Sequence, residues 1–278
     1  EGFNTAFAGD VPLGAGMSSS AALESCFAFA LNDLFGNNNI DKFTLAKVGQ
    51  ATEHNYIGCN FGIMDQFASI FGKAGHIMRL DCRSLEHQYF HFDPKGYKLV
   101  LLNSCVKHGL AGSAYNDRRK SCENVAAAIS KRHPEVKSLR DANYELLDEV
   151  RGEVNEEDAL RAHYVIGEIE RVMEVSAALE TEDYEEVGAK MYETHDGLSR
   201  EYEVSCPELD FLVDVARDCG VSGARMMGGG FGGCTINLVS QELYANFIEK
   251  ARVSYQEKFG KAPIVIDVVI GDGARKLC

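Results

Sequence analysis

Residues 12–24 read Pro-Leu-Gly-Ala-Gly-Met-Ser-Ser-Ser-Ala-Ala-Leu-Glu, and the chain changes character across them. Before them, Phe3, Thr5 and Phe7 alternate as in a strand; after them, residues 21–35 are apolar over a helical length. The order is strand, glycine–serine loop, helix. Gly14 and Gly16 admit φ > 0 and let the backbone approach a ligand closely. Ser18, Ser19 and Ser20 bring hydroxyls and N–H groups to a helix N-terminus, where free amides and the helix dipole favour an anion. A single serine N-cap is the plain reading of such a turn. Three consecutive serines exceed it, so residues 14–20 are expected to hold a phosphate-bearing ligand. Two familiar loops are excluded: no Gly-Lys-Ser/Thr tripeptide occurs, and Ser19 stands where a dinucleotide fingerprint needs its third glycine.

The 278 residues suffice for one large domain or two ordinary ones. A formal net charge of −14 argues against a general nucleic-acid surface or an anionic membrane as partner. No apolar run reaches the roughly 18 residues of a membrane span. The nine cysteines are scattered singly with no Cys-x-x-Cys, so reduced thiols in a cytoplasmic protein are expected. The first residue is Glu1, and residues 1–9 read like the middle of a domain, so the chain is expected to begin inside a longer protein.

The segment 21–35 is apolar nearly all round, which predicts a buried helix. A second helix is expected over 41–56 and a third from Ile63 or Met64 to Phe71. Glu53, near the end of the second, is either a solvated acid opposing the helix dipole or a ligand on the metal or phosphate side. Asp65 reads as an N-cap or first-turn acid, raised above that by the company of Gly58, Gly62 and Gln66. Strands follow at 76–81, 88–92 and 98–103, with the turn 92–96 as the best domain boundary. Helices are expected at about 116–132, 141–150, 156–180, 183–203 and 207–219. The order strand (221–227), glycine loop, strand (234–239), helix (241–259), strand (264–270) then closes a split βαβ, ferredoxin-like layout with strand 98–103. The loop 228–233 formally matches Gly-x-Gly-x-x-Gly, but a strand follows it rather than a helix. It is either a tight β-turn or a second wall of a phosphate pocket.

These glycine-containing stretches, in this order, resemble the GHMP family of small-molecule kinases, and within it the galactokinases. Residues 12–21 match the family's phosphate loop, 58–66 (Gly-Cys-Asn-Phe-Gly-Ile-Met-Asp-Gln) the segment with the catalytic acid, and 227–234 (Met-Gly-Gly-Gly-Phe-Gly-Gly-Cys) the third motif. Asp-Cys-Arg-Ser-Leu (81–85), Tyr-Asn-x-Arg-Arg (115–119) and Glu-Val-Ser-Cys-Pro-Glu-Leu-Asp (203–210) add to the resemblance, which covers essentially the whole chain. It implies an α/β fold of the α+β type in two domains: an S5-like N-terminal domain, here partial, over 1–97, and a ferredoxin-like C-terminal domain with added helices over 98–278. It implies ATP and Mg²⁺ as cofactors and galactose as substrate, phosphorylated on its anomeric hydroxyl. Gly14, Ala15, Gly16, Met17, Ser18, Ser19 and Ser20 would wrap the ATP phosphates. Ser20 and Glu53 would bind Mg²⁺, and Asp65 would act as base. Gly62, Asp65 and Tyr115 would contact the sugar, and Gly228, Gly229, Gly230, Gly232 and Gly233 would shape the phosphate site.

One family signature, Gly-Arg-x-Asn-(Leu/Ile)-Ile-Gly-Glu-His-x-Asp-Tyr, does not occur; the pairs Glu53-His54 and Glu86-His87 lack its context. The motifs leave two other readings open: a kinase for another substrate such as N-acetylgalactosamine, and a galactokinase-like regulator that binds sugar and ATP without turnover. A serine hydrolase is weaker, since no Gly-x-Ser-x-Gly occurs.

Overall fold

A computed structural model describes residues 2–58, 60–106 and 111–277, with side chains from Ala114 onward in the last stretch. Cys59 of the expected loop 59–62 and the C-terminal Cys278 lie outside the described residues. Three helices come first: α1 (Ser19–Phe35), α2 (Lys42–Thr52) and α3 (Met64–Phe71). A hairpin of β1 (His76–Leu80) and β2 (His87–His91) follows, then β3 (Tyr97–Asn103). Five helices come next: α4 (Ala111–Ser130), α5 (Tyr144–Val150), α6 (Glu156–Glu180), α7 (Tyr184–Arg200) and α8 (Pro207–Asp218). The chain closes with β4 (Gly223–Met226), β5 (Cys234–Ser240), α9 (Gln241–Phe259) and β6 (Ile264–Asp267). The helix boundaries follow local chemistry. Asp41, Asn155 and Ser240 accept N-capping bonds from Thr44, Asp158 and Leu243, Pro207 opens α8, and Gly260 ends α9 in the left-handed conformation.

The main sheet has the order β4-β5-β3-β6 with every neighbouring pair antiparallel. With its helices this is the ferredoxin-like split βαβ arrangement expected from the motif order. Central strand β3 buries both faces. Val100 and Leu102 pack with Leu212, Val213, Phe247 and Tyr255 under α8 and α9. Leu101, on the other face, packs with Cys234 and with Ala15 of the glycine–serine loop. Burial of side chains as large as Phe247 and Tyr255 contributes about 1.5–3 kcal/mol each. The hairpin is divided the same way by its two-residue period: Met78 and Leu80 pack toward α2 and α3, Ile77 and Phe90 toward α6 and α7.

Two expectations need correction. Phe3, Thr5 and Phe7 belong to neither sheet: no neighbouring strand among the described residues takes their backbone hydrogen bonds, and Phe3 packs instead on the rings of Phe27 and Phe35. Helix α1 is not buried all round. Ala21, Ser25 and Asn32 are buried, but Leu23, Phe27, Leu34 and Phe35 are exposed, because only one face meets α2 and α3. No helix of the described residues is long and apolar enough to cross a membrane.

Where α7 meets α8, the Asp210 carboxylate accepts hydrogen bonds from Ser199 (3.0 Å) and Ser205 (2.5 Å), and His195 Nε2 lies 3.3 Å away. Burial raises this carboxyl, but the bonds from His195, Ser205 and Ser199 outweigh it and hold the group below the ordinary carboxylate range. The sign follows from linkage: the ionised form adds stability above the unfolded-state value, about pH 4, and that stability is lost as pH falls through the lowered native value. Asp210→Asn is expected to lower Tm at neutral pH and to flatten the acid decline between about pH 5 and pH 3. Thermal melts across that range check this, and parallel acid limbs would refute it.

Candidate active site

The glycine–serine loop runs from residue 14 into α1. Gly14 and Gly16 have φ of 69° and 73°. Ser18 is also left-handed, at φ 55°, and its side chain makes no capping bond. The simple N-cap reading is therefore wrong: the left-handed backbone leaves the first amides of α1 without a side-chain partner, the condition under which a helix start receives an anion. Ala15 is buried and Met17 half-buried against the sheet, so the loop is pinned from below while Ser20 stays exposed.

The second glycine loop lies directly against the first. A Cβ on Gly16 would sit 3.2 Å from the Met227 carbonyl oxygen, and one on Gly228 3.1 Å from the Gly16 oxygen. Loop 228–233 is fixed along its length. Phe231 N–H donates to Val204 O at 2.6 Å, and Gly233 O accepts from the Ser104 N–H at 2.9 Å and the Ser104 hydroxyl at 2.7 Å. Gly228 and Gly229 are exposed, whereas Gly230, Gly232 and Gly233 are buried. Arg118 supports the far side: it donates to Tyr202 O and Glu203 O, and its guanidinium lies over the Phe231 ring at 5.4 Å.

Tyr115 of α4 joins this loop to the segment 58–66. Its ring meets Phe61 edge-on at 4.9 Å, and a Cβ on Gly229 would lie 3.8 Å from it. Burial pushes its phenol up; Arg119 draws it down and the negative charge of Asp65 raises it, which places Asp65 and Arg119 in its electrostatic neighbourhood. Asp65 is the second residue of α3, half-buried, and its side chain makes no hydrogen bond among the described residues. It is a first-turn acid, not the cap, which is Ile63. Gly62 is exposed just before it. The segment leading into Gly62 is held by Gln50 and His54, both bonded to Phe61 O, and by Arg119 on Asn60 O.

Glu53 departs from the solvated reading. α2 stops at Thr52 and a single π-helical turn, Glu53–Ile57, continues it, leaving Glu53 only 4% exposed. Such turns often occur at functional positions. The Glu53 carboxylate lies against that of Glu24 on α1, one turn after Ser20. Burial pushes the Glu24 carboxyl up, Gln66 lowers it and Glu53 raises it further. Two converging carboxylates, beside a buried Gln66 Oε1 that lacks a partner, form an oxygen donor set that fits a divalent cation. Ser20 and Glu53 are not hydrogen-bonded to each other among the described residues. Glu24 and Arg118 were not anticipated from the residues; the only signal for Glu24 was its i,i+4 spacing from Ser20.

Family models for the GHMP kinases match at residues 1–73 (N-terminal domain) and 175–255 (C-terminal). A curated galactokinase of Clostridium beijerinckii is 41% identical over 278 residues, covering 99% of this chain and 71% of its own length. That of Homo sapiens is also 41% identical, over 100% of this chain and 68% of its own. The chain belongs to the galactokinase family of GHMP kinases. The crystal structure of Lactococcus lactis galactokinase complexed with galactose superposes with a TM-score of 0.92 at 33% identity, over 97% of this chain and 69% of that one. A mevalonate kinase of L. major with R-mevalonate, at 20% identity and a TM-score of 0.57, shares the fold alone. Galactokinase membership accounts for the order of the motifs along the chain and for the ferredoxin-like sheet.

Proposed function

We propose that this chain transfers the γ-phosphoryl group of ATP to the anomeric hydroxyl of galactose, giving galactose 1-phosphate and ADP. The observation that carries this reading is the direct abutment of the two glycine loops at Gly16 and Gly228, beside an uncapped helix start, with Tyr115 against Gly229 and Asp65 in the electrostatic neighbourhood of Tyr115. Phosphoryl transfer asks a protein mainly for alignment and charge neutralisation. Residues 14–20 receive the nucleotide phosphates on the backbone amides of the α1 start, and loop 228–233 closes them from the other side. Gly62 and Tyr115 seat the sugar, and Asp65 takes the proton of its anomeric hydroxyl. Ser20 and Glu53 would hold Mg²⁺, with Glu24 behind them; when bound, the cation neutralises charge on the phosphate oxygens. The division into an N-terminal unit to about residue 97 and a C-terminal unit beyond it, and a cytoplasmic location with reduced thiols, belong to the same reading.

The test is ADP release with MgATP in the presence and absence of galactose, with N-acetylgalactosamine as competitor substrate. Galactose-dependent release with galactose 1-phosphate as product is the expected result. Release that ignores galactose, or nucleotide and sugar binding without turnover, overturns the reading. Ser20→Ala is expected to raise the Mg²⁺ concentration needed for half-maximal rate several-fold while leaving KM for galactose unchanged. A metal titration of the variant checks it, and an unchanged metal dependence removes Ser20 from that role.

A further inference from the structure

Edge strand β4 ends at Met226, one residue before the stretch that abuts the phosphate loop. Met227 N–H turns inward to Cys234 O, so the Met226 N–H points out of the sheet, away from β5, at a residue that is fully buried. Its partner is the Nδ1 of His195 on α7, at 3.2 Å, a ring only 3% exposed. Accepting that bond requires Nδ1 to carry no proton, so the ring proton sits on Nε2, which faces the Asp210 carboxylate at 3.3 Å. Ser199 and Ser205 hold that carboxylate in turn. The chain of contacts is continuous: Asp210 sets the tautomer of His195, His195 holds Met226, and the next residues, Met227 and Gly228, lie on Gly16.

We infer that His195, oriented by Asp210, is a positioning residue for nucleotide binding: it fixes the exit of β4 and so the seat of the second glycine loop against the phosphate loop. This rests on the proposed kinase function. His195 acts on the loop through the Met226 amide. A purely structural histidine would lower stability without distinguishing nucleotide from sugar.

The test compares His195→Leu, which removes the acceptor at similar volume, with His195→Asn, whose side-chain oxygen reoccupies the Nδ1 position. Calorimetry measures binding of Mg²⁺ with a non-hydrolysable ATP analogue and, separately, of galactose; hydrogen exchange follows residues 227–233. In His195→Leu, nucleotide affinity is expected to fall about tenfold or more, since small misplacements at a phosphate site are costly. Galactose affinity stays the same, exchange across 227–233 accelerates, and His195→Asn restores most of both losses. Unchanged nucleotide affinity in His195→Leu overturns the inference, as does an equal loss for both ligands. If His195→Leu fails to fold, Asp210→Asn is the second variant: a selective nucleotide loss supports the inference, and none refutes it. If the wild type binds no nucleotide, the kinase reading fails by itself. Exchange at 227–233 then decides: acceleration in Leu but not in Asn upholds the hold on the loop, and unchanged exchange removes it.

Discussion

Asp65→Asn is expected to lose turnover by about 10²–10⁴-fold, roughly 3–5 kcal/mol in the barrier, while keeping its fold. The amide has the shape of the carboxylate but cannot take a proton. The fold tolerates the change because the Asp65 side chain makes no hydrogen bond among the described residues and caps no helix. What is lost structurally is one favourable charge in the first turn of α3, about 0.3–1 kcal/mol. The kinetic pattern separates the base from a mere contact: kcat falls, and KM for galactose moves little. Single-turnover rates and a thermal melt of the same preparation check both halves. Near-native turnover would exclude Asp65 as base.

Gly230→Ala should be strongly damaging for so small a change. Gly230 has φ of 87°, and its missing side chain faces the buried Val204, whose Cβ would lie 2.8 Å from the new methyl and whose carbonyl would lie closer still. Val204 cannot retreat without breaking the bond its oxygen accepts from Phe231. The left-handed backbone costs an alanine about 1–2 kcal/mol, and overpacking adds about 1–3 kcal/mol. At roughly 2–4 °C per kcal/mol for a chain of this size, Tm should fall by about 10 °C. Nucleotide affinity should fall with it, because the displaced loop is the one against Gly16. Gly229→Ala is the control. A Cβ there would only touch the Tyr115 ring, at 3.8 Å, so it should be near-neutral in Tm. Equal melting temperatures for the two variants would refute the steric account.

Much of this was legible from residues close in sequence. The helices from α4 to α9 follow from apolar periodicity, caps and turn residues, the ferredoxin-like layout from the order of elements along the chain, and the positive φ of Gly14 and Gly16 from their place before a helix. What was hidden depends on contacts between distant segments. The strand alternation of Phe3, Thr5 and Phe7 says nothing about whether a neighbour is there to pair with it. The apolar girth of α1 does not say which face is covered. The π-helical turn that buries Glu53 has no composition signal, and Glu24 reads as an ordinary helical acid until that turn brings a second carboxylate into its neighbourhood. His195 looks like any helical histidine until the edge of β4 arrives to use its nitrogen.

The pairing of β3 also dictates an order of events during synthesis. Both of its partners, β5 and β6, lie near the end of the chain, beyond five helices. As the protein leaves the ribosome, α4, α5 and α6 can gather around their own local cluster, while Tyr97–Asn103 waits unpaired. Its Val-Leu-Leu run, apolar on both faces once folded, is the segment most prone to self-association in that interval. A ribosome-bound chain ending before β5 would present this strand continuously.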